Sequence, residues 1–459
     1  MKTTIAFLAV IFISFAGFSQ ESVTKKVKKW SLKESVVYAL EHNLSVKRAD
    51  LTTNLRKEDI TLAKSSFLPT VSGSGSQSYS FGSNVDLATN TRKSADRRSN
   101  SFGVNASASL FNGFKNSNTL KQSKLSYETS KFDLEKMKDD ISLNVLNSYL
   151  NVLFNKENIK IAQAQVNLGK EQVDRTKRLV ESGVQPKGNL LDVEATLASD
   201  EGKLIDSENN LELALLSLAQ LLQLPKEGFD VEDVNIDVTA TKMLYTNVNE
   251  VYTKSLDLRP EIKSAQLSIK NAKLGIDVAK ADYLPSLSMN VGLNTFYNHN
   301  QGQKDDYINP ITSEVVSNGF FTQLDNNFGQ SVSLSLRIPI FSGFRTDTYV
   351  KKAKINHQLS ENNLTSEKLR LRESIERAFT DAKSSLKSFE AATKSFTAQT
   401  ESFRFAKEKF EAGQSTSYDF NQVKNRLVDA QGALYRAKFN FIFKTKLLEF
   451  YYGIPVNID

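Results

Sequence analysis

Apolar positions along the chain change period twice, and do so in the same order in both halves. Residues 31–66 carry apolar side chains at helical spacing and open on Ser31-x-x-Glu34, a capping box directly behind Trp30. Leu68-Pro69 ends that pattern. Phe102, Val104, Ala106, Ala108 and Leu110 then alternate with Ser, Gly or Asn, which is the period of a strand. The second half repeats the alternation at Val332, Leu334, Leu336, Ile338 and Ile340, opposite a partner run in which Leu287, Met289, Val291 and Leu293 share one face. The spacing predicts strands over about 70–81, 101–111, 286–297 and 330–341. Each is about ten residues, the length a tilted strand needs to cross a bilayer. The opposite face of every run is Ser, Asn and Gly, which suits water better than a second core layer. Phe81, Phe111, Tyr297 and Phe341 stand at strand ends, where an aromatic girdle lies. Polar stretches 82–101 and 298–329 read as exposed loops.

Long helices follow each strand pair. Residues 116–182 and 346–412 contain no Pro, and each stretch would make a helix of roughly 100 Å at 1.5 Å per residue. The helices predicted over 189–224 and 417–452 show heptads: Leu190, Leu197, Leu204, Leu211 and Leu218, then Phe420, Leu427, Leu434, Phe441 and Leu448. A second stripe runs beside the first through Leu191, Ala198, Ile205 and Ala219. Two adjacent stripes mean coiled-coil packing with neighbours on both sides. The helix over 31–66 and a heptad helix, laid end to end, would match one long helix, giving a uniform wall.

The two halves are a tandem duplication. Ala63-Lys64-Ser65-Ser66-Phe67-Leu68-Pro69 returns 216 residues later as Ala279-Lys280-Ala281-Asp282-Tyr283-Leu284-Pro285. Leu110-Phe111-Asn112-Gly113-Phe114 returns 230 residues later as Ile340-Phe341-Ser342-Gly343-Phe344. The larger second offset puts extra residues in the second half's loop between strands. We divide the chain into a leader at 1–19, a first repeat at 20–240 and a second at 241–459. Each repeat is far longer than a solenoid unit.

Residues 1–19 read as a secretory signal peptide: Lys2, an apolar run too short to span a bilayer, and a small-x-small pattern at Gly17-Phe18-Ser19. With no Cys in the chain, lipoprotein anchoring, disulfides, thiol nucleophiles and Cys-based metal sites are excluded. No later stretch is apolar enough for a membrane helix, so entry into a membrane requires a β-barrel. The 59 basic and 52 acidic residues are interspersed, and nucleic-acid binding is not indicated. No P-loop, G-x-S-x-G or H-E-x-x-H pattern appears, so no enzyme and no cofactor are expected. His42, His299 and His357 are scattered and read as structural or solvated. Alternating charges on the helices read as solvated faces.

These features resemble the outer membrane efflux protein family, the TolC family. The residues that carry the resemblance are Leu68-Pro69 and Leu284-Pro285, the corners at 110–114 and 340–344, and the hairpin turns ending in Gly183 and Gly413. The resemblance spans essentially the whole chain after the leader. It implies a mainly α protein with a transmembrane β portion: helical hairpins forming an α-barrel, and four strands per chain shared in a trimeric, twelve-stranded β-barrel. It further implies a passive outer membrane channel extending into the periplasm, serving a tripartite efflux or type I secretion system. The partners implied are a periplasmic adaptor protein, an inner-membrane pump and outer membrane lipid. Gly183 and Gly413 would mark tips for adaptor docking. Asp419 and Gln422, with Asn189 and Asp192 on the first tip, would line the periplasmic aperture, where Asp419 either attracts cations or simply caps its helix. Elementary physics adds that four strands cannot close a barrel by themselves. An exported coiled-coil adhesin or structural protein would also show heptads and a leader. It would not need alternating ten-residue strands placed identically in two halves.

Overall fold

A computed structural model describes residues 28–86, 91–94, 96–234 and 247–455; the leader predicted at 1–19 lies outside them. The first repeat runs β1 (Lys28–Trp30), α1 (Leu32–His42), α2 (Leu44–Ser65), β2 (Thr70–Ser80), β3 (Ser83–Asp86), β4 (Thr91–Ser94), β5 (Arg97–Asn112), α3 (Lys115–Glu181), α4 (Lys187–Leu221) and β6 (Phe229–Val231). The second runs α5 (Val248–Leu258), α6 (Pro260–Lys280), β7 (Ser286–Asn300), β8 (Asp306–Ile308), β9 (Val315–Ser317), α7 (Phe320–Asn326), β10 (Gly329–Arg337), α8 (Arg345–Glu411) and α9 (Ser417–Tyr452). The long helices α3 and α8 have 67 residues each, one residue upstream of the stretches read from sequence. No described helix is long and apolar enough to cross a membrane.

The chain forms two compact units, each drawing on both sequence repeats. Of the described residues, one comprises 28–44, 140–234 and 377–455. Its core is the apolar stripe of α3 (Val145, Leu146, Tyr149), Leu218 and Leu222, and Phe441, Ile442 and Leu448 of α9, all buried. Of the predicted heptad stripe, Leu218, Phe420, Phe441 and Leu448 are buried and Leu190, Leu197, Leu204 and Leu211 half-buried. The second stripe is divided: Leu191, Ala198 and Ile205 are exposed, whereas Ala219 is buried. A two-stranded parallel ribbon, β1 with β6, pairs Trp30 with Val231. The Tyr149 hydroxyl lies 3.1 Å from the Trp30 carbonyl, and Lys156 donates to the Val231 carbonyl at 2.7 Å and pairs with Asp230 at 2.8 Å. Burial pushes the Tyr149 hydroxyl above its ordinary pKa, aided by the nearby carboxylates of Glu232 and Asp233. The capping box read at Ser31 and Glu34 forms, with both reciprocal hydrogen bonds at 3.2 Å.

The helix predicted over 31–66 is two helices. The backbone leaves the helical region at Asn43 (φ −63°, ψ 129°), whose side chain donates to the Leu221 carbonyl at 2.9 Å. The break recurs 216 residues later at Arg259 (φ −67°, ψ 126°), where Pro260 forbids helical backbone in the residue before it.

The other unit comprises residues 45–139 and 247–376 and contains a four-stranded antiparallel sheet in the order β10-β7-β5-β2. All four predicted strands are present with shifted ends. β5 begins at Arg97 rather than 101, and β7 continues to Asn300. β10 stops at Arg337 instead of 341, because Pro339 has no N–H to give the ladder. The loops contain ordered pieces: a β3–β4 hairpin, a β8–β9 hairpin and α7.

Candidate functional site

Side-chain alternation divides the sheet into two faces of opposite character. Cross-strand pairing puts Ala106, Val291 and Val332 in one row and Ala108, Met289 and Leu334 in the next. Leu336 and Leu287 extend the same face, which is therefore aliphatic across β10, β7 and β5. Much of it is uncovered: Val332 is 73% and Leu334 64% exposed. The reverse face is Ser, Thr, Asn and Gly almost throughout. Its hydroxyls bridge strands, Thr70 with Ser107 at 2.8 Å and Ser76 with Ser101 at 2.7 Å. A sheet with one exposed apolar face and one exposed polar face fits a boundary between lipid and water. Among the described residues, the outer strands β2 and β10 each leave one edge unpaired.

At one end of the sheet the chain leaves β5 and β10 for the long helices, directly after β5 and through residues 338–344 after β10. Gly113 and Phe114 both take left-handed backbone (φ 65° and 67°), as do Gly343 and Phe344 (φ 60° and 62°). Two successive left-handed residues reverse the chain into each helix, directly after β5 and at the end of a short link after β10. They also project aromatic side chains: Phe111 packs edge-to-face on Phe114 at 5.3 Å and Phe341 on Phe344 at 5.7 Å. Gly113 is required twice over, since a Cβ there would lie 2.5 Å from the Ala281 carbonyl. At the other end Phe81 is exposed, as expected for a girdle, but Tyr297 is buried under α7, with Phe320 edge-on at 5.0 Å. Beyond the strands, burial opposes ionisation of Asp305. Hydrogen bonds from Tyr297 (2.7 Å) and His299 (2.8 Å) outweigh it and hold the carboxyl below its usual range.

In the helical unit, the turns at Gly183 and Gly413 have one design. Each glycine is left-handed (φ 74°) and follows the last helical turn. Val184 N–H returns to the Leu179 carbonyl (2.9 Å) and Gln414 N–H to the Lys409 carbonyl (2.8 Å), each accompanied by a bond from the glycine N–H, to Val180 (3.0 Å) and to Phe410 (3.1 Å): a Schellman closure. Arg175 of α3 ties the turns together. It donates to the Glu411 carbonyl at 2.6 Å and lies over the Phe410 ring at 5.5 Å, while Phe410 stacks on Phe420 at 4.7 Å.

The cap of α9 is Thr416, not Asp419. The Thr416 hydroxyl accepts from Asp419 N–H at 3.1 Å and donates to its carboxylate at 2.7 Å, so Asp419 sits in the first turn with its charge exposed. Gln422 is exposed one turn on and donates to the Tyr418 hydroxyl at 3.3 Å. Asp192 is exposed and Asn189 half-buried near the start of α4. The sequence reading missed a charged pair deeper in the helices: Lys424 of α9 donates to Asp200 of α4 at 2.5 Å, with side chains only 2% and 4% exposed. The available signal was position, since Asp200 lies seven residues after the buried Val193. Among the described residues no group of His, Asp or Glu could hold a metal ion.

A sheet amphipathic in this sense, leading into long helices, is the architecture of a protein that sits at a membrane boundary. The chain belongs to the outer membrane efflux protein family, whose model matches residues 36–223 and 251–441. It is 20% identical over 283 residues to the alkaline protease secretion protein AprF of Pseudomonas aeruginosa, a match covering 62% of this chain and 55% of that one. The chain thus spans about half the length of that curated relative. The fold matches the solved CusC structure with a TM-score of 0.75 at 17% identity, covering 94% and 93% of the two chains. It matches the outer membrane protein VceC of Vibrio cholerae with a TM-score of 0.73 at 15% identity, covering 92% and 96%. Family membership places the protein at the outer membrane.

Proposed function

We propose that the protein is the outer membrane channel of a tripartite efflux or type I secretion system, passively conducting substrates from periplasm to exterior through a homotrimeric tunnel. The observation that carries this reading is the four-stranded sheet with an exposed aliphatic face, a Ser/Asn/Gly face and two unpaired edges. Unpaired backbone in hydrocarbon costs several kcal/mol per group, and four strands are too few to close. Three copies joined edge to edge give twelve strands, with the aliphatic face to lipid and the polar face to a water-filled lumen. The exposed stripe at Leu191 and Ile205 on α4 supports a neighbouring chain in the helical part as well.

Each repeat, 20–240 and 241–459, then supplies two strands and one long helical hairpin. The turns at Gly183 and Gly413 form the periplasmic entrance, where a periplasmic adaptor docks and an inner-membrane pump supplies the energy. The leader at 1–19 is removed on export. Extraction from membranes tests the reading: a particle of three chains that precipitates without detergent and conducts in planar bilayers is expected. A buffer-soluble, non-conducting species refutes it. Within the aperture we assign Asp419 a cation-attracting role, held in place by Thr416, with Asp192 as a second carboxylate and Gln422 and Asn189 as uncharged neighbours. Asp419→Ala should lower cation preference, and an unchanged reversal potential would sink that role.

A further inference from the structure

We propose that Arg337, with Arg97 as a second contributor, gives the strand-built part of the lumen a preference for anions, opposite in sign to that assigned to Asp419. The inference rests on the reading of the polar face as the water-facing one. Alternation and register place Arg337 on that face beside Ser286 and Asn112, at the end nearest the helices, and Arg97 beside Ser80 and Asn300 at the far end. Between them every polar-face position of the four described strands is Ser, Thr, Asn or Gly, except Phe296. The face carries two positive charges and no carboxylate.

Neighbouring acids do not cancel this charge. Arg337 and Arg97 are exposed, and neither forms an ion pair with a described residue. At the helix end, Asp282 is paired with Lys115 at 2.9 Å and Asp347 with Lys351 at 2.7 Å. At the far end, Asp96 sits next to Arg97 and accepts from Gly82 N–H at 3.2 Å, so it dilutes Arg97. Arg98 points to the opposite face, with its guanidinium 5.3 Å from the centre of the Tyr297 ring. Arg337 is therefore the stronger determinant.

Geometry makes three such charges sufficient. Twelve strands about 4.8 Å apart and tilted about 40° give a backbone radius of roughly 12 Å, and arginine side chains narrow it further. The screening length is about 8 Å at 0.15 M salt and about 3 Å at 1 M. A ring of three guanidinium groups therefore biases the whole cross-section at low salt and little of it at high salt.

The test is the reversal potential of the purified full chain in planar bilayers under a KCl gradient, at low and at high mean salt. Arg337→Gln, Arg337→Glu and Arg337→Lys are compared with wild type, each also combined with Asp419→Asn to remove the charge at the turn. The chloride-over-potassium permeability ratio is expected to fall at least about twofold in Arg337→Gln and further in Arg337→Glu. Arg337→Lys should retain it, and the differences should shrink at high salt. Conducting channels whose ratio is the same in all variants, in both backgrounds at low salt, would overturn the inference while leaving the duct intact. A wild-type protein that never conducts would overturn the duct reading and this inference with it.

Discussion

Removing one member of the Asp200–Lys424 pair should destabilise the helical unit far more than removing both. The two side chains are 4% and 2% exposed and 2.5 Å apart, joining α4 to α9. A buried charge deprived of its partner costs about 3–5 kcal/mol, whereas replacing both members with apolar groups of similar volume is close to neutral. Two local features refine the estimate. Lys203, 3.3 Å from Asp200 and largely exposed, stays behind as a substitute cation when Lys424 is removed. Removing Asp200 leaves Lys424 no second carboxylate among its recorded ion pairs. The order expected is therefore Asp200→Leu at the upper end of the range, Lys424→Met at the lower end and the double variant within about 1 kcal/mol of wild type. Amide exchange along α9 reads the difference locally: each 1.4 kcal/mol is a factor of ten in opening, so about 3 kcal/mol speeds exchange near Lys424 by roughly two orders of magnitude. Single variants that both cost less than about 1 kcal/mol, or a double variant as damaged as the sum of the singles, would refute the reasoning.

Three further expectations follow from geometry already described. Gly113→Ala and Gly343→Ala both pay about 1 kcal/mol for left-handed backbone, but only Gly113→Ala also drives a Cβ into the Ala281 carbonyl, for about 1–3 kcal/mol more. Thermal melts should rank Gly113→Ala clearly below Gly343→Ala, and equal melts would contradict the close approach. Arg175→Ala removes the bond to the Glu411 carbonyl and the cation over Phe410, worth together about 1–3 kcal/mol, and should speed protease cleavage around residues 413–416. Asp233 is held below its ordinary pKa of 3.8: burial opposes ionisation, but the hydrogen bond and charge of Lys156 outweigh it. Its contribution is thus present above the unfolded pKa and is lost as pH falls below about 4, so Asp233→Asn should flatten the acid limb of melting temperature against pH.

Periodic and duplicated features were legible in the sequence; pairings between distant segments were not. The strand faces and the boundaries of α9 follow from spacing, because burial against one neighbour imposes a strict period, and the lengths of α3 and α8 follow from their Pro-free stretches. The break at Asn43 was missed because Asn is tolerated in a helix, and what ends α1 is a bond to Leu221, remote in sequence. Its twin at Arg259 was visible, since Pro260 follows it, and the repeat would have carried that signal back to Asn43. The ribbon of β1 with β6 has three residues per strand and no period to detect. Asp200 and Lys424 lie on helices whose charges read as solvated faces, and nothing local shows that these two meet 224 residues apart. The reading of Asp419 as a possible cap failed by one turn, because Thr416 is the better-placed acceptor for the same first turn.

The unpaired edges of β2 and β10 also dictate an order of events during biogenesis. In water those backbone groups are solvated, and a lone chain can persist; in hydrocarbon each costs several kcal/mol. Such edges also invite pairing with any passing strand. For the trimer proposed above, insertion therefore follows, or coincides with, the meeting of chains. The rate of maturation should depend on chain concentration more steeply than first order.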